Sequence, residues 1–285
     1  MSEDLPEGRI LRAFGGGRTV RLVVVEARGP AEKARFAHGL GSGAAIHAAE
    51  GMIATALMSA HIKGEERLTV QIQTDRPKMA FIAEVDAEGA LRARLTPSDM
   101  PHASQLSGFL HAIKSEGTRE TYRGTTSIAD ENLERALSEH LGNSQQTSAY
   151  LRLAARLNEE GAVRFAAGIL VERLPEHDEY PWIDEATFEA TYGSLMQADM
   201  EDLLTAFAFG QFAGQPVELL ETRDLTWKCR CSQAKVEVML GSLGADELRA
   251  MRDEGKAEVI CHFCNQAWVV SQERLTELLQ LYMDN

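Results

Sequence analysis

Cys229, Cys231, Cys261 and Cys264 are the four cysteines of this 285-residue chain. They form a Cys-x-Cys pair and a Cys-x-x-Cys pair about thirty residues apart, close to one end. Four thiols in two short pairs meet the tetrahedral demand of a zinc ion, which takes four soft ligands at roughly 2.3 Å. Such a site forces two separate segments to converge on one point. The competing readings are two structural disulfides or four unrelated buried thiols. They fit less well, because residues 1–7 (Met-Ser-Glu-Asp-Leu-Pro-Glu) lack the basic region and apolar run of a signal peptide. The expected compartment is the reducing cytoplasm, where permanent disulfides are uncommon.

The first pair is the less ordinary one. Zinc ribbons usually join two Cys-x-x-Cys pairs, whereas a single intervening residue brings Cys229 and Cys231 within reach of each other after modest backbone adjustment. Lys228 and Arg230 flank these thiols with positive charge, which favours the thiolate that oxidants attack. Spacing alone leaves two readings open, a redox-responsive zinc site and a plain folding zinc. His262 lies inside the second pair, but four thiols already complete a tetrahedron, so it is not expected to be a ligand.

The surroundings of the cysteines carry a resemblance. Trp227-Lys228-Cys229-Arg230-Cys231-Ser232, the run Val-Met-Leu-Gly-Ser-Leu-Gly-Ala-Asp-Glu-Leu at 238–248, and Glu-Val-Ile-Cys-His-Phe-Cys-Asn at 258–265 resemble the C-terminal signature of the redox-regulated 33 kDa heat-shock chaperone family. The likeness continues at 57–72, 143–147 and 166–175, nearly the whole chain. Departures include Gln145, Ala167, Glu172 and Gln233, where the family has Glu, Gly, Gln and Arg. No cysteine is lost.

The resemblance implies an ATP-independent holdase rather than an enzyme, with no catalytic residue. It implies one zinc per chain in a reduced, inactive form. Oxidation would pair Cys229 with Cys231 and Cys261 with Cys264 and release the metal. The C-terminal module and the linker before it would then unfold and expose surface for unfolded client proteins, often in a dimer, protecting them against oxidative and heat aggregation.

Composition narrows the alternatives. A net charge of −14 argues against nucleic acid as a partner, since phosphate neutralisation needs clustered Lys and Arg. The most apolar stretch, 44–62, is Ala-rich and carries His47, Glu50 and His61, so it reads as a buried helix rather than a membrane span. The chain is long enough for one well-buried domain and a smaller module.

Residues 1–175 read as one α+β domain with an antiparallel sheet. Period-two alternation predicts strands at 19–25, 68–73, 81–85 and 91–95, with further strands at 106–114 and 119–126 and a central strand at 162–174. Helices are expected from Pro30 to about Gly39, from a Ser42 cap to Lys63-Gly64, over 132–141 and over 148–157. Gly15-Gly16-Gly17 lacks the Gly-Lys-Ser/Thr ending of a phosphate loop. The histidines His38, His47, His61, His102, His111, His140 and His177 show no HExxH spacing, and each reads as surface or satisfied core.

Residues 176–225 mix acidic residues with apolar ones at helical spacing, including Phe188, Leu195, Leu203, Leu204 and Phe207, and are broken by Gly193 and Gly210. Such a helical linker is stabilised mainly by docking. The bland reading is an ordinary connector; the resemblance makes it a metastable linker and those five residues the candidate client-binding side chains.

Residues 226–285 form the small Cys₄ zinc module. It is expected to hold a helix at 246–252, strands at 257–260 and 267–270, and a last helix capped by Ser271 with Leu275, Leu278, Leu279 and Tyr282 on one side. A competing function is a thiol-disulfide oxidoreductase using Cys261 and Cys264, though such pairs usually open a helix after a strand. Another is a constitutive zinc-ribbon binding protein.

Overall fold

The computed structural model describes residues 8–145, 148–174, 185–188, 211–212 and 215–283. The chain divides into two units, Met1–Lys228 and Cys229–Asn285. The strands of the first unit are β1 (Gly8–Gly15), β2 (Val20–Glu26), β3 (Glu66–Arg76), β4 (Lys78–Asp86), β5 (Ala90–Thr96), β6 (Leu106–Glu116), β7 (Arg119–Glu131), β8 (Ala149–Leu157), β9 (Val163–Arg173), β10 (Gln211–Phe212), β11 (Gln215–Pro216) and β12 (Glu218–Trp227). Its helices are α1 (Arg28–His38), α2 (Ser42–Met58), α3 (Leu133–Gln145) and the single turn α4 (Glu185–Phe188).

Ten of the strands form one sheet in the order β7-β6-β3-β4-β5-β12-β1-β2-β9-β8. Within β3, Leu68, Val70 and Ile72 are buried while Thr69, Gln71 and Gln73 face outward, the alternation of a sheet with one covered face. β2 and β9 differ, being buried along almost their whole length. On β2, Val23 and Val25 join the core beneath α1, α2 and α3, while Val20, Leu22 and Val24 join a second cluster with Leu11, Ala13, Phe165, Ile169 and Val171. This half of the sheet is therefore apolar on both faces, which explains why the central strand read at 162–174 is nearly all apolar.

Helix α2 is apolar all round because it sits inside this core. Two glycines set its distance from the sheet. A Cβ at Gly51 would lie 2.5 Å from the Phe81 ring, and one at Gly168 on β9 would lie 2.3 Å from Ile53 Cγ2. No described helix is long and apolar enough to cross a membrane.

Several expectations are corrected. Residues 148–157 form strand β8, not a helix; β8 pairs with β9 from Ala149 to Leu157, and tertiary pairing overrides the helix-favouring Ala, Leu and Arg content. Strand β1 was not foreseen. It makes a hairpin with β2 through the glycine loop, where Gly16, Gly17 and Arg18 have φ of 58°, 66° and 73°. The N-cap of α2 is Gly41 rather than Ser42. Residues 218–225, expected within a helical linker, belong to β12, which pairs antiparallel with β1 and parallel with β5. Of the proposed client-binding residues, Phe188 is described and buried in the second cluster. Leu195, Leu203, Leu204 and Phe207 lie outside the described residues.

The second unit holds α5 (Gln233–Gly241), α6 (Ala245–Asp253), the antiparallel hairpin β13 (Lys256–Ile260) and β14 (Ala267–Ser271), and α7 (Gln272–Met283). Helix α5, not foreseen, is capped by Ser232, whose Oγ accepts from Lys235 N–H at 3.3 Å. The expected Ser271 cap accepts from Arg274 N–H at 3.4 Å. Among the described residues its buried core is seven side chains: Val236, Leu240, Leu248, Ala257, Val270, Leu275 and Leu279. Leu278 is half-buried against it, and the Tyr282 side chain is outside the described ones.

Candidate metal centre

Two segments bring the cysteines together. Cys229 and Cys231 lie just before the Ser232 cap of α5, and the Lys235 ammonium donates to the Arg230 carbonyl at 2.7 Å, which fixes the loop between them. Cys261 follows β13, and Cys264 sits in the knuckle before β14. That turn is closed by Cys261 N–H to Gln266 O at 2.9 Å and Asn265 N–H to Cys261 O at 2.8 Å, with Asn265 in the left-handed region at φ 58°.

The sulfurs converge. Cys229 Sγ is 3.6 Å from Cys261 Sγ, and Cys231 Sγ is 3.4 Å from Cys264 Sγ. All four lie within 4.8 Å of one another, and all four are free thiols. These separations far exceed a disulfide bond of about 2.05 Å. The two Sγ–Sγ contacts lie just below the edge of about 3.8 Å that follows for a tetrahedron with metal–sulfur bonds of about 2.3 Å. The donor set thus fits zinc. His262 is not one of the converging groups.

Their protonation shows what the cluster lacks as bare thiols. Burial pushes the Cys229 thiol up, but the Cys231 backbone N–H and hydrogen bonds from the other three thiols outweigh it and bring Cys229 down to about 7. Cys231 and Cys264 are pushed up, first by burial. One thiolate can form here readily; four need a cation among them.

Sequence reasoning found all four cysteines. It did not join His47, Glu50 and His102, which come together on α2 and the loop 97–105 and are separated by fifty-odd positions. The client-binding candidate Phe188 stacks on Tyr150 at 5.6 Å, and the Arg152 guanidinium lies 5.6 Å from its ring centroid.

The chain's relatives are identified by comparison with known proteins. The family model described as Hsp33 protein matches residues 8–271, a span that contains every cysteine. The 33 kDa chaperonin of Syntrophotalea carbinolica is 30% identical over 247 residues, covering 79% of this chain and 83% of that protein. The 33 kDa chaperonin of Pelobacter propionicus is 29% identical over 288 residues, covering 95% and 93%. The crystal structure of a 33 kDa chaperonin (heat shock protein 33 homolog) from Thermotoga maritima shares the fold with a TM-score of 0.81 at 22% identity, covering 98% of this chain and 100% of that one. Because the match runs through the sheet, the hairpin knuckle and all four thiols, the chain belongs to the Hsp33 protein family, a family of 33 kDa chaperonins that supports a chaperone function.

Proposed function

We propose that this protein is a redox-regulated, ATP-independent holdase of the cytoplasm, inactive when reduced and zinc-loaded and active when oxidised. The observation that carries the proposal is the convergence of four free thiols from two segments onto a point of zinc-site dimensions. A bound zinc ion supplies the cross-link between the two segments and holds the four sulfurs as thiolates. The unit around them has a core of only seven buried residues. A structural zinc contributes about 10–16 kcal/mol in small domains, as much as the whole margin of about 5–15 kcal/mol on which a domain rests.

Oxidation removes the ligands two at a time. A thiolate attacks peroxide, giving a sulfenic acid and hydroxide; a neighbouring thiol then displaces water from the sulfenic acid and closes a disulfide. Each disulfide formed consumes one peroxide, which takes two electrons from the thiol pair. Pairing Cys229 with Cys231 and Cys261 with Cys264 leaves no thiolate for a metal, and the second unit loses its cross-link. The apolar second face of β1, β2 and β9, on which Phe188 rests, supports a role as a client surface that the linker ahead of β12 covers in the reduced state, with Phe188, Leu195, Leu203, Leu204 and Phe207 as candidate contacts. Partners are unfolded proteins and, after oxidation, a second copy of the chain.

A thiol-disulfide oxidoreductase is not favoured, because Cys261 and Cys264 sit in a hairpin knuckle rather than at a helix N-terminus. The test is zinc content and suppression of client aggregation before and after peroxide with mild heat. The reduced protein should hold about one zinc per chain by the four-ligand rule and suppress weakly. After oxidation, metal should fall to near zero and suppression appear. Equal suppression in both states would overturn the switch.

A further inference from the structure

Loop 97–105, which joins β5 to β6, lies directly on the start of α2. Gly41 N–H donates to Ser98 O at 2.8 Å, and a Cβ at Gly43 would sit 2.1 Å from the Met100 carbonyl oxygen and 2.4 Å from His102 N. Farther along α2, Glu50 sits between two imidazoles. His47 Nδ1 is 3.6 Å from its Oε2, and His102 Nε2, from the loop, is 3.5 Å from its Oε1. The two rings lie 4.7 Å apart.

Three donor atoms this close resemble a metal site, but one hydrogen bond decides otherwise. Ala103 N–H donates to His47 Nε2 at 3.1 Å. A backbone amide can only donate, so the Nε2 lone pair is committed and the neutral ring carries its proton on Nδ1, facing Glu50. That nitrogen has no lone pair for a cation. His47 is a buried donor of fixed tautomer; His102 is about one-third exposed and open to solvent protons.

We propose that His102 and Glu50 form a proton-operated latch, in which the His102 imidazolium clamps loop 97–105 to α2 and its deprotonation releases the loop. The other charged groups around it come from neighbouring elements. Glu134 of α3 shares with Glu50 and His102 a cavity of about 170 Å³, and its Oε1 is engaged by Leu153 N–H at 2.8 Å. Asp75, Arg76 and Asp130 line the hollow on the other side of His102.

The direction of titration agrees with the geometry. The hydrogen bond to Glu50, then its charge, raises His102 above its ordinary range against the effect of burial. Burial pushes Glu50 up, yet the His102 and His47 hydrogen bonds hold it below the usual carboxylate range. A raised histidine contributes its stabilisation fully below about pH 6.5 and loses it as pH rises through the raised value. A lowered carboxylate contributes above about pH 4.3 and loses it as pH falls through the lowered value. The latch is closed between these limits and opens on the alkaline side.

The test uses the full, zinc-loaded chain. The His102 imidazole is titrated by NMR in the wild type and in Glu50→Gln, and amide exchange across 97–105 is compared at pH 6.0 and 8.5 after correction for intrinsic rates. His102 should titrate above about 6.5 and drop by about one unit in Glu50→Gln, a tenfold change in clamping strength. Loop protection should fall several-fold from pH 6.0 to 8.5 in the wild type and be independent of pH in His102→Gln, a variant that reports even if Glu50→Gln folds poorly. Unchanged titration in Glu50→Gln, or pH-independent protection in the wild type, overturns the latch. So does a second equivalent of Co²⁺ binding that is lost in His102→Gln.

Discussion

Glu172 shows how much one residue's meaning depends on neighbours far away in the chain. Its carboxylate is almost wholly buried. The Arg21 Nη1 donates to Glu172 Oε2 at 3.3 Å and to His61 Nδ1 at 3.2 Å, which leaves His61 Nε2–H to donate to Glu172 Oε1 at 2.7 Å. Removing the arginine strands a buried charge beside a neutral ring. Arg21→Met should therefore cost about 3 kcal/mol, the cost of breaking a buried pair, whereas Glu172→Gln, which removes the charge itself, should cost well under half of that. Urea unfolding of both variants checks the order. The sequence showed Glu172 only as a departure from a pattern, because its partners lie on β2 and after α2. The cysteines were legible for the opposite reason: two short motifs contain all four thiols of the cluster. Gly51 and Gly168 were illegible, since what they make room for, Phe81 and Ile53, is known only once the helix lies on the sheet.

Among the elements, strands with one covered face were read correctly from their alternation, as with Leu68, Val70 and Ile72 on β3. Residues 149–157 failed because Ala-Leu-Arg-rich sequence favours a helix locally, and only the pairing with β9 makes it a strand. β12 failed for a similar reason. It is exposed or half-buried along nearly all its length, and Leu225 is its one fully buried side chain. That makes Leu225 its main side-chain anchor. Leu225→Ala should cost about 2–5 kcal/mol and speed amide exchange across Glu218–Trp227 more than across β3 or β4. Uniform exchange over the sheet would show that backbone pairing alone holds the strand.

For the molecule as a whole, the balance lies between a large sheet-and-helix unit and a small one that carries the four clustered sulfurs. The sequence places a boundary at residue 175 and begins a small module at about 226, whereas the first unit runs on through β12 to Lys228. Cys231→Ser should leave three thiols, bind zinc weakly and unfold the second unit without any oxidant, while the first unit keeps its own transition. Zinc content with far-UV circular dichroism and limited proteolysis checks this; a fully protected second unit would mean that its seven-residue core suffices alone.

Among the described residues, β12 is also the only strand that joins the two groups of the ten-stranded sheet, β7-β6-β3-β4-β5 and β1-β2-β9-β8. Its contact with β5 is a parallel pairing of Thr226 and Trp227 with Ala90 and Leu91, extended by Lys228 N–H to Leu91 O at 2.9 Å, and the next residue is the first thiol. Withdrawing this keystone would leave two separate sheets, each ending in a naked row of amides and carbonyls of the kind an extended stranger chain can zip onto.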